Sequence, residues 1–378
     1  METKQINKIT RIKIKKISIK PNEDVYDISV KNNHNFFANG ILIHNCFEIS
    51  FIPITKDGQC GVQYCNLTSV NGVKIKTKDD FLNAIKAATI IGTLQASYTT
   101  DMNYLSHVAK KLTNEEALLG VSITGIMDSP DILLNKEILQ CGANYAVEIN
   151  KLWAKKIGIN PAARVTCCKP EGTSSLVLES ASGAHPHHAR RYFRRIQCNK
   201  LDNVFQFFKK QNPNLCEESV WSANKTDEIV TFPIEVSPTS IIKNDLTAIK
   251  HLEYIKLLQE YWVNTGSNIS SNKKNITHNV SCTVLVKDTE WPEVINYIYN
   301  NRNYFSAVSL LPYIGDKLFK QAPMEAIVTE EDNVKWNNII SNYKPVDYKK
   351  FEEDDDNTKL SQTEVCAGGK CEISFHNK

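Results

Sequence analysis

The stretch VYDISVKNNHNFFANGILIHNC, residues 25–46, constrains this 378-residue chain more than any other. Two short apolar runs flank Asn39-Gly40, a dipeptide that tolerates consecutive positive φ angles, so a β-hairpin is predicted here. A hairpin alone does not require the triplet that follows it, His44-Asn45-Cys46. An asparagine side-chain amide can attack its own main-chain carbonyl, and an imidazole with a pKa near neutrality can move the protons. A thiol directly downstream can hold the acyl group. The three parts stand in the order which that chemistry needs.

On those residues, the segment resembles the carboxy-terminal end of an intein running into the first residue of a host protein. VYDISV reads as a short strand, and NHNFFANGILIHN is similar to the intein motif that holds a second histidine, here His34. Asp27 sits where inteins carry an assisting aspartate. The resemblance implies that Asp27, His34, His44, Asn45 and Cys46 carry splicing. Met1 lies only 44 residues before Asn45, too few for a whole intein. Residues 1–45 are therefore expected to be the carboxy-terminal fragment of a split intein of all-β HINT type, with a complementary chain as partner. Residues 1–20 hold seven Lys or Arg against one Glu, and ITRIKIKKISIK (9–20) alternates Ile with charge like an exposed strand. Such a strand would be steered toward an acidic partner fragment. The alternatives are a nucleic-acid arm or a solvated charged face.

The formal charge of +3 is concentrated in that fragment: without residues 1–45 the remainder stands at about −1. Bulk nucleic-acid binding by the rest of the chain loses its main support. No run approaches the roughly 18 consecutive apolar residues of a membrane span, and no signal-peptide core follows Met1, so a cytoplasmic protein is expected. Eleven cysteines, an odd number at irregular spacing, argue for reactive or redox thiols rather than a disulfide framework.

Beyond Cys46 the pattern is α/β. DDFLNAIKAATIIGTLQASY (79–98) has helical apolar spacing, and EEALLGVSITGIMDS (115–129) reads as a helix running into a Gly-marked strand or turn. NVSCTVLVKD (279–288) and YFSAVSLLP (304–312) read as strands around the amphipathic helix WPEVINYIYNN (291–301), a crossover that predicts parallel pairing. From about residue 346 an acidic run gives way to polar and glycine residues, which predicts a flexible tail over 346–378.

Four motifs in this region converge: CFEIS (46–50), YCNLTSVN (64–71), CCKPEGTSSLVLESASGAHPHHARRYFRRIQ (167–197) and CAGGKC (366–371). Together they resemble the catalytic half of a ribonucleotide reductase, and the adenosylcobalamin-dependent (class II) ribonucleoside-triphosphate reductases most of all. The resemblance implies that residues 46–345 form the carboxy-terminal half of the family's ten-stranded α/β barrel. It also implies reduction of ribonucleoside triphosphates to deoxyribonucleotides for DNA synthesis, with adenosylcobalamin as cofactor. Cys46 would be the thiyl-radical site and Glu48 the base for the substrate's 3′ hydroxyl. Two residues apart on an extended segment, both side chains face one side. Cys65 matches the family's redox cysteine on this half, its partner belonging to an amino-terminal half, whereas Cys60 lacks the family context. Cys366 and Cys371 match the tail pair that passes electrons from thioredoxin or a glutaredoxin-like reductant to the active site. The two glycines between them let the chain curl to disulfide distance.

Pro170, Glu171, Gly172, Thr173, Ser174 and Ser175 form the loop that holds substrate phosphates in the family. A glycine admits close backbone approach, and hydroxyls and amides can meet phosphate oxygens where a helix begins. A plain helix cap uses the same residues. Cys141, Cys167, Cys168, Cys198, Cys216 and Cys282 read as packed thiols. Adjacent Cys167 and Cys168 face opposite ways without a second pair of zinc-site spacing to join them, and His187 and His188 are poorly placed to share one ion, so no metal is expected. The arginines of RRYFRR (190–195) suit an ion-paired or phosphate-facing surface at least as well as RNA. The reductase class that draws its radical from a second subunit uses a Tyr-Tyr pair, and none occurs in this chain. A diphosphate-reductase fragment and a non-catalytic, thiol-rich nucleotide-binding module are the alternatives to the triphosphate reductase.

Overall fold

The computed structural model describes residues 35–38, 41–44, 48–55, 57–99, 106–222, 224–267, 276–313 and 320–351. Asp27, His34, Asn45, Cys46, Cys366 and Cys371 lie outside the described residues, as do the basic stretch 1–20 and the acidic run of the tail. The chain divides into two units, Met1–Cys46 and Phe47–Lys378. In the first, β1 (Asn35–Ala38) and β2 (Ile41–His44) pair antiparallel, with Ala38 opposite Ile41. That register leaves two residues, 39 and 40, between the strands, as the turn signal predicts. His44 closes β2 opposite Asn35.

The second unit is mixed α/β. It opens on an irregular segment, 48–55, bent at residues 48 and 49, followed by β3 (Asn66–Asn71), α1 (Lys78–Thr99), α2 (His107–Glu116) and β4 (Leu119–Thr124). β3 and β4 pair parallel, Asn66 opposite Leu119, so the helices between them are a crossover. Helix α1 starts where Thr77 and Asp80 exchange side chain to backbone hydrogen bonds, a reciprocal cap. Its Phe81 and Ile85 are fully buried, while Thr89 and Thr93 satisfy their hydroxyls on the carbonyls of Ile85 and Thr89. α3 (Pro130–Leu133) and α4 (Lys136–Ile157) follow, and α4 lays Gly142 directly on the Phe81 ring.

The next extended segment, 164–168, ties two parallel pairs into one run. Val121 donates to Val165 O at 2.8 Å and Cys167 donates to Val121 O at 3.1 Å. On the other side Cys168 donates to Asn279 O at 3.1 Å and Ser281 donates to Cys168 O at 2.8 Å. After α5 (Gly172–Val177) the chain leaves this layer for β5 (Arg191–Asn199), α6 (Asn203–Gln211), β6 (Cys216–Glu218) and β7 (Asp227–Glu235). It returns through α7 (Ala248–Leu258) to β8 (Ser281–Val286), α8 (Trp291–Asn300) and β9 (Ala307–Pro312). β8 and β9 pair parallel, as their crossover predicts. Five segments thus lie side by side and parallel, in the order β3, β4, 164–168, β8, β9. β4 is buried at every position, the mark of a strand covered on both faces. The core around it runs from Phe81 and Leu119 to Trp262 and Val284.

β10 (Met324–Ala326) and α9 (Glu330–Asn342) complete a separate antiparallel sheet, ordered β10-β5-β7-β6, with its own core of Phe193, Phe205, Phe208, Leu215, Val230, Trp336 and Ile339. The arginine-rich stretch runs into the start of β5, and three of its four arginines are ion-paired within the chain, while Arg194 donates to Met324 Sδ at 3.9 Å. Arg190 pairs with Asp245, Arg191 with Glu235 and Arg195 with Glu325. Residues 346–351, assigned to the tail by composition, pack against this sheet through Val346 and through Tyr348 and Phe351 on Phe207. Among the described residues no helix is long and apolar enough to cross a membrane.

One buried ion pair anchors the segment 164–168 at its start. Arg164, 1% exposed, donates to Glu116 at the end of α2 at 2.6 Å. Glu116→Ala leaves that guanidinium buried without its carboxylate, so a loss of about 3–5 kcal/mol is expected. Urea unfolding should show it as a lower midpoint with an unchanged slope.

Candidate active site

In the second unit, Glu48 and the loop 170–175 meet at Lys169, immediately after the segment 164–168. Its Nζ lies 3.9 Å from Glu48 Oε1 and 3.6 Å from Glu171 Oε2. The backbone of Glu48 is held from behind by Asn279, which sits just before β8 and is buried. Asn279 Nδ2 donates to Glu48 O at 3.2 Å, and its Oδ1 accepts from Ser50 N at 2.7 Å. Asn279 is held in turn by its neighbours. A π turn over Gln259–Asn264 extends α7 and presses Gln259 against residues 278–280, where Oε1 accepts from Val280 N and Nε2 donates to His278 O. An irregular turn of this kind re-aims side chains that a regular helix would carry past the site.

Glu171 occupies the left-handed region, φ 61°, with its carboxylate buried. Ser69 donates to both carboxylate oxygens at 2.8 and 2.9 Å, Ser174 donates to Oε2, and Lys169 supplies the opposite charge. Non-glycine residues take up this conformation at a cost of about 1–3 kcal/mol, which the surrounding bonds must offset. The turn is closed by Gly183, at φ 52°, where a side chain would strike the Lys169 carbonyl. Of the six residues expected to hold phosphate, Gly172 and Thr173 are exposed, and space is open beside the Gly172 α-carbon. Pro170 and Ser174 are half-buried. Glu171 and Ser175 face inward, the latter bonded to Gly172 O and the Ser182 hydroxyl. The first amides of α5 have no intrahelical acceptors.

Cys65 is the last residue before β3. Its Sγ lies over Gly120, where a Cβ would meet it at 2.6 Å and the sulfur of Cys167 at 3.1 Å. A glycine is required there, since any side chain would displace both thiols. Desolvation pushes the Cys65 thiol up to about 12, with Glu48 adding in the same direction and Arg164 and Lys169 opposing. Burial likewise raises Cys167, Cys168 and Cys282. Cys60 is exposed, at an isolated bridge with Ile54. His187 bonds Asp128 at 2.6 Å, and His188 lies beside Lys243 and the Tyr192 ring.

Sequence reasoning missed Lys169, Ser69, Gly120, His278 and Asn279. Lys169 lay within a quoted motif, as did Ser69, but their partner is a carboxylate whose burial no local pattern reveals. Gly120, His278 and Asn279 are lone residues with no spacing signal.

No family model matches the chain. Curated relatives do. A probable adenosylcobalamin-dependent ribonucleoside-triphosphate reductase of Dictyostelium discoideum is 26% identical over 316 residues, covering 79% of this chain and 37% of its own length. The adenosylcobalamin-dependent ribonucleoside-triphosphate reductase of Lactobacillus leichmannii is 26% identical over 231 residues, 60% of this chain and 29% of its own. The chain is homologous to these reductases. A crystal structure of a B-12 dependent (class II) ribonucleotide reductase shares the fold, with a TM-score of 0.59 and 20% identity over 78% of this chain and 43% of that one. The chain thus spans well under half the length of the reductases that it matches.

The raised thiol gives a direct test. A shift from 9.0 to about 12 lowers the thiolate fraction of Cys65 about a thousandfold at pH 8. Alkylation with iodoacetamide, followed by peptide mass spectrometry, should leave Cys65 largely unmodified while Cys60 reacts. The Cys65 rate should still be rising about tenfold per pH unit at pH 10.

Proposed function

We propose that this chain is a precursor half, trans-spliced at Asn45-Cys46 to its complement to give an adenosylcobalamin-dependent ribonucleoside-triphosphate reductase. The observation that carries the reading is the convergence of Glu48, Cys65 and the loop 170–175 on Lys169, at one side of a five-segment parallel run. Such a run is what half of a ten-stranded barrel would look like, and homology to reductases supports the assignment.

In this reading Cys46 first accepts the acyl group in splicing and later serves as the thiyl site. Glu48, braced by Asn279 and facing Lys169, takes the proton of the substrate's 3′ hydroxyl. Cys65 and a thiol of the amino-terminal half give up two hydrogens and form a disulfide, while the 2′ hydroxyl departs as water. Gly172 and Thr173, with the first amides of α5, face the substrate phosphates, and Glu171 braces that loop from inside. The tail pair Cys366 and Cys371 then reduces the disulfide and is recharged by thioredoxin.

When bound, adenosylcobalamin would supply the one-electron chemistry that converts a thiol of this chain to a thiyl. Desolvation keeps Cys65 and Cys167 as S–H rather than thiolate, the form in which a thiol can give up a hydrogen atom. Cys46 is the thiol on which it would act.

Two experiments test the reading. Mixing the chain with its complementary half should release residues 1–45 and join Cys46 to a new upstream residue, and Asn45→Ala should abolish that release. Normal ligation by the alanine variant, read by mass spectrometry, would remove the splicing assignment. The ligated product, given adenosylcobalamin and a small dithiol, should convert ribonucleoside triphosphates to deoxyribonucleotides, with Glu48→Gln about 10²–10⁴-fold lower in kcat. Nucleotide binding without any deoxyribonucleotide formed would favour the non-catalytic module instead.

A further inference from the structure

Cys65 and His278 meet although they precede strands that are not neighbours, β3 and β8. The imidazole is buried, with Nε2 2.7 Å from Leu119 O and 3.8 Å from Cys65 Sγ. A carbonyl oxygen only accepts, so Nε2 carries the proton and Nδ1 is a bare acceptor. That Nδ1 is buried and has no partner among the described residues. A buried polar atom without a partner is costly, so a histidine here needs a reason beyond filling space. The Nε2–H, already aimed at Leu119 O, has the sulfur as its second acceptor.

We propose that His278 is a positioning residue for Cys65, holding the sulfur with its Nε2–H and stabilising the charge that Cys65 bears whenever it enters or leaves a disulfide. Burial and the nearby Arg164 lower the His278 pKa to about 3, so the ring is neutral and acts as a hydrogen-bond donor, not as an acid. The other groups facing Cys65 are Arg164 and Lys169, Glu48 and Cys167. Arg164 is engaged by Glu116, and Lys169 by Glu48 and Glu171. His278 touches the sulfur itself. A thiol raised to about 12 is a slow nucleophile and a poor leaving group, which makes a fixed N–H donor at the sulfur valuable in both directions of exchange.

The inference rests on Cys65 being the redox thiol, but it is tested on the 378-residue chain without turnover. In a Cys60→Ser background, Cys65 reacts with 4,4′-dithiodipyridine. The thiol proton goes to solvent, the sulfur attacks the probe, the probe's S–S bond breaks, and the released thiopyridone takes the electron pair. Mass spectrometry of the Cys65 peptide gives the rate from pH 8 to 10.5. His278→Phe should slow exchange about tenfold and move the pH rise up by about one unit, as loss of one hydrogen bond to a charged sulfur requires. His278→Gln, which keeps an N–H donor at the Nε2 position, should stay within about threefold of the parent. Equal slowing of both variants would mean packing alone, and no slowing of the folded phenylalanine variant would mean no contact; either overturns the proposal. If His278→Phe does not fold, the unsubstituted chain decides. With ¹⁵N-labelled histidine, the Nε2–H resonance of His278 should move when Cys65 is methylthiolated, and an unmoved resonance rejects the contact. These readouts can fail while nucleotide reduction stands, and the reverse.

Discussion

The carboxylate of Glu171 is the constraint on which the site depends. A buried charge survives only where hydrogen bonds and an opposite charge replace water, and here two serines and Lys169 do so. Each of those partners comes from a different place. Ser69 belongs to β3, Ser174 to the first turn of α5, and Lys169 to the end of the segment 164–168. Satisfying one carboxylate therefore fixes the loop 170–175 against two strands of the parallel run. Lys169 carries the constraint outward to Glu48, whose backbone is fixed independently by Asn279.

Much of this architecture is written in periodicity. α1, α8 and the parallel pair β8 and β9 fall where apolar spacing predicts them, because each buries one face or both. The hairpin β1 and β2 follows from its turn residues. The antiparallel sheet was not legible. β5 begins among arginines whose carboxylate partners lie 22 or more residues away, so its strand character is hidden under charge. The segment 164–168 was equally hidden, being a short strand whose pairing depends wholly on long-range neighbours. At the site, motifs located Glu48, Cys65 and the loop 170–175. They did not reveal that Glu171 turns inward, nor that Asn279 and His278 stand behind them, because those contacts span more than 100 residues.

The glycine at position 120 shows how an absence can be functional. β4 is buried at every position and otherwise lined by side chains, yet at this point a Leu67 methyl and two sulfurs occupy the room that a Cβ would take. The packing density of the core is kept, with thiols beside hydrocarbon.

The desolvation around Cys65 also bears on which thiol of the chain is oxidised first. Peroxides and electrophilic metabolites attack thiolates, and at neutral pH a thiol near 12 is ionised in roughly one molecule in a hundred thousand. The exposed Cys60 presents no such shelter. In a cell under oxidative stress, damage would fall first on that surface sulfur, and the Cys65 thiol would remain intact.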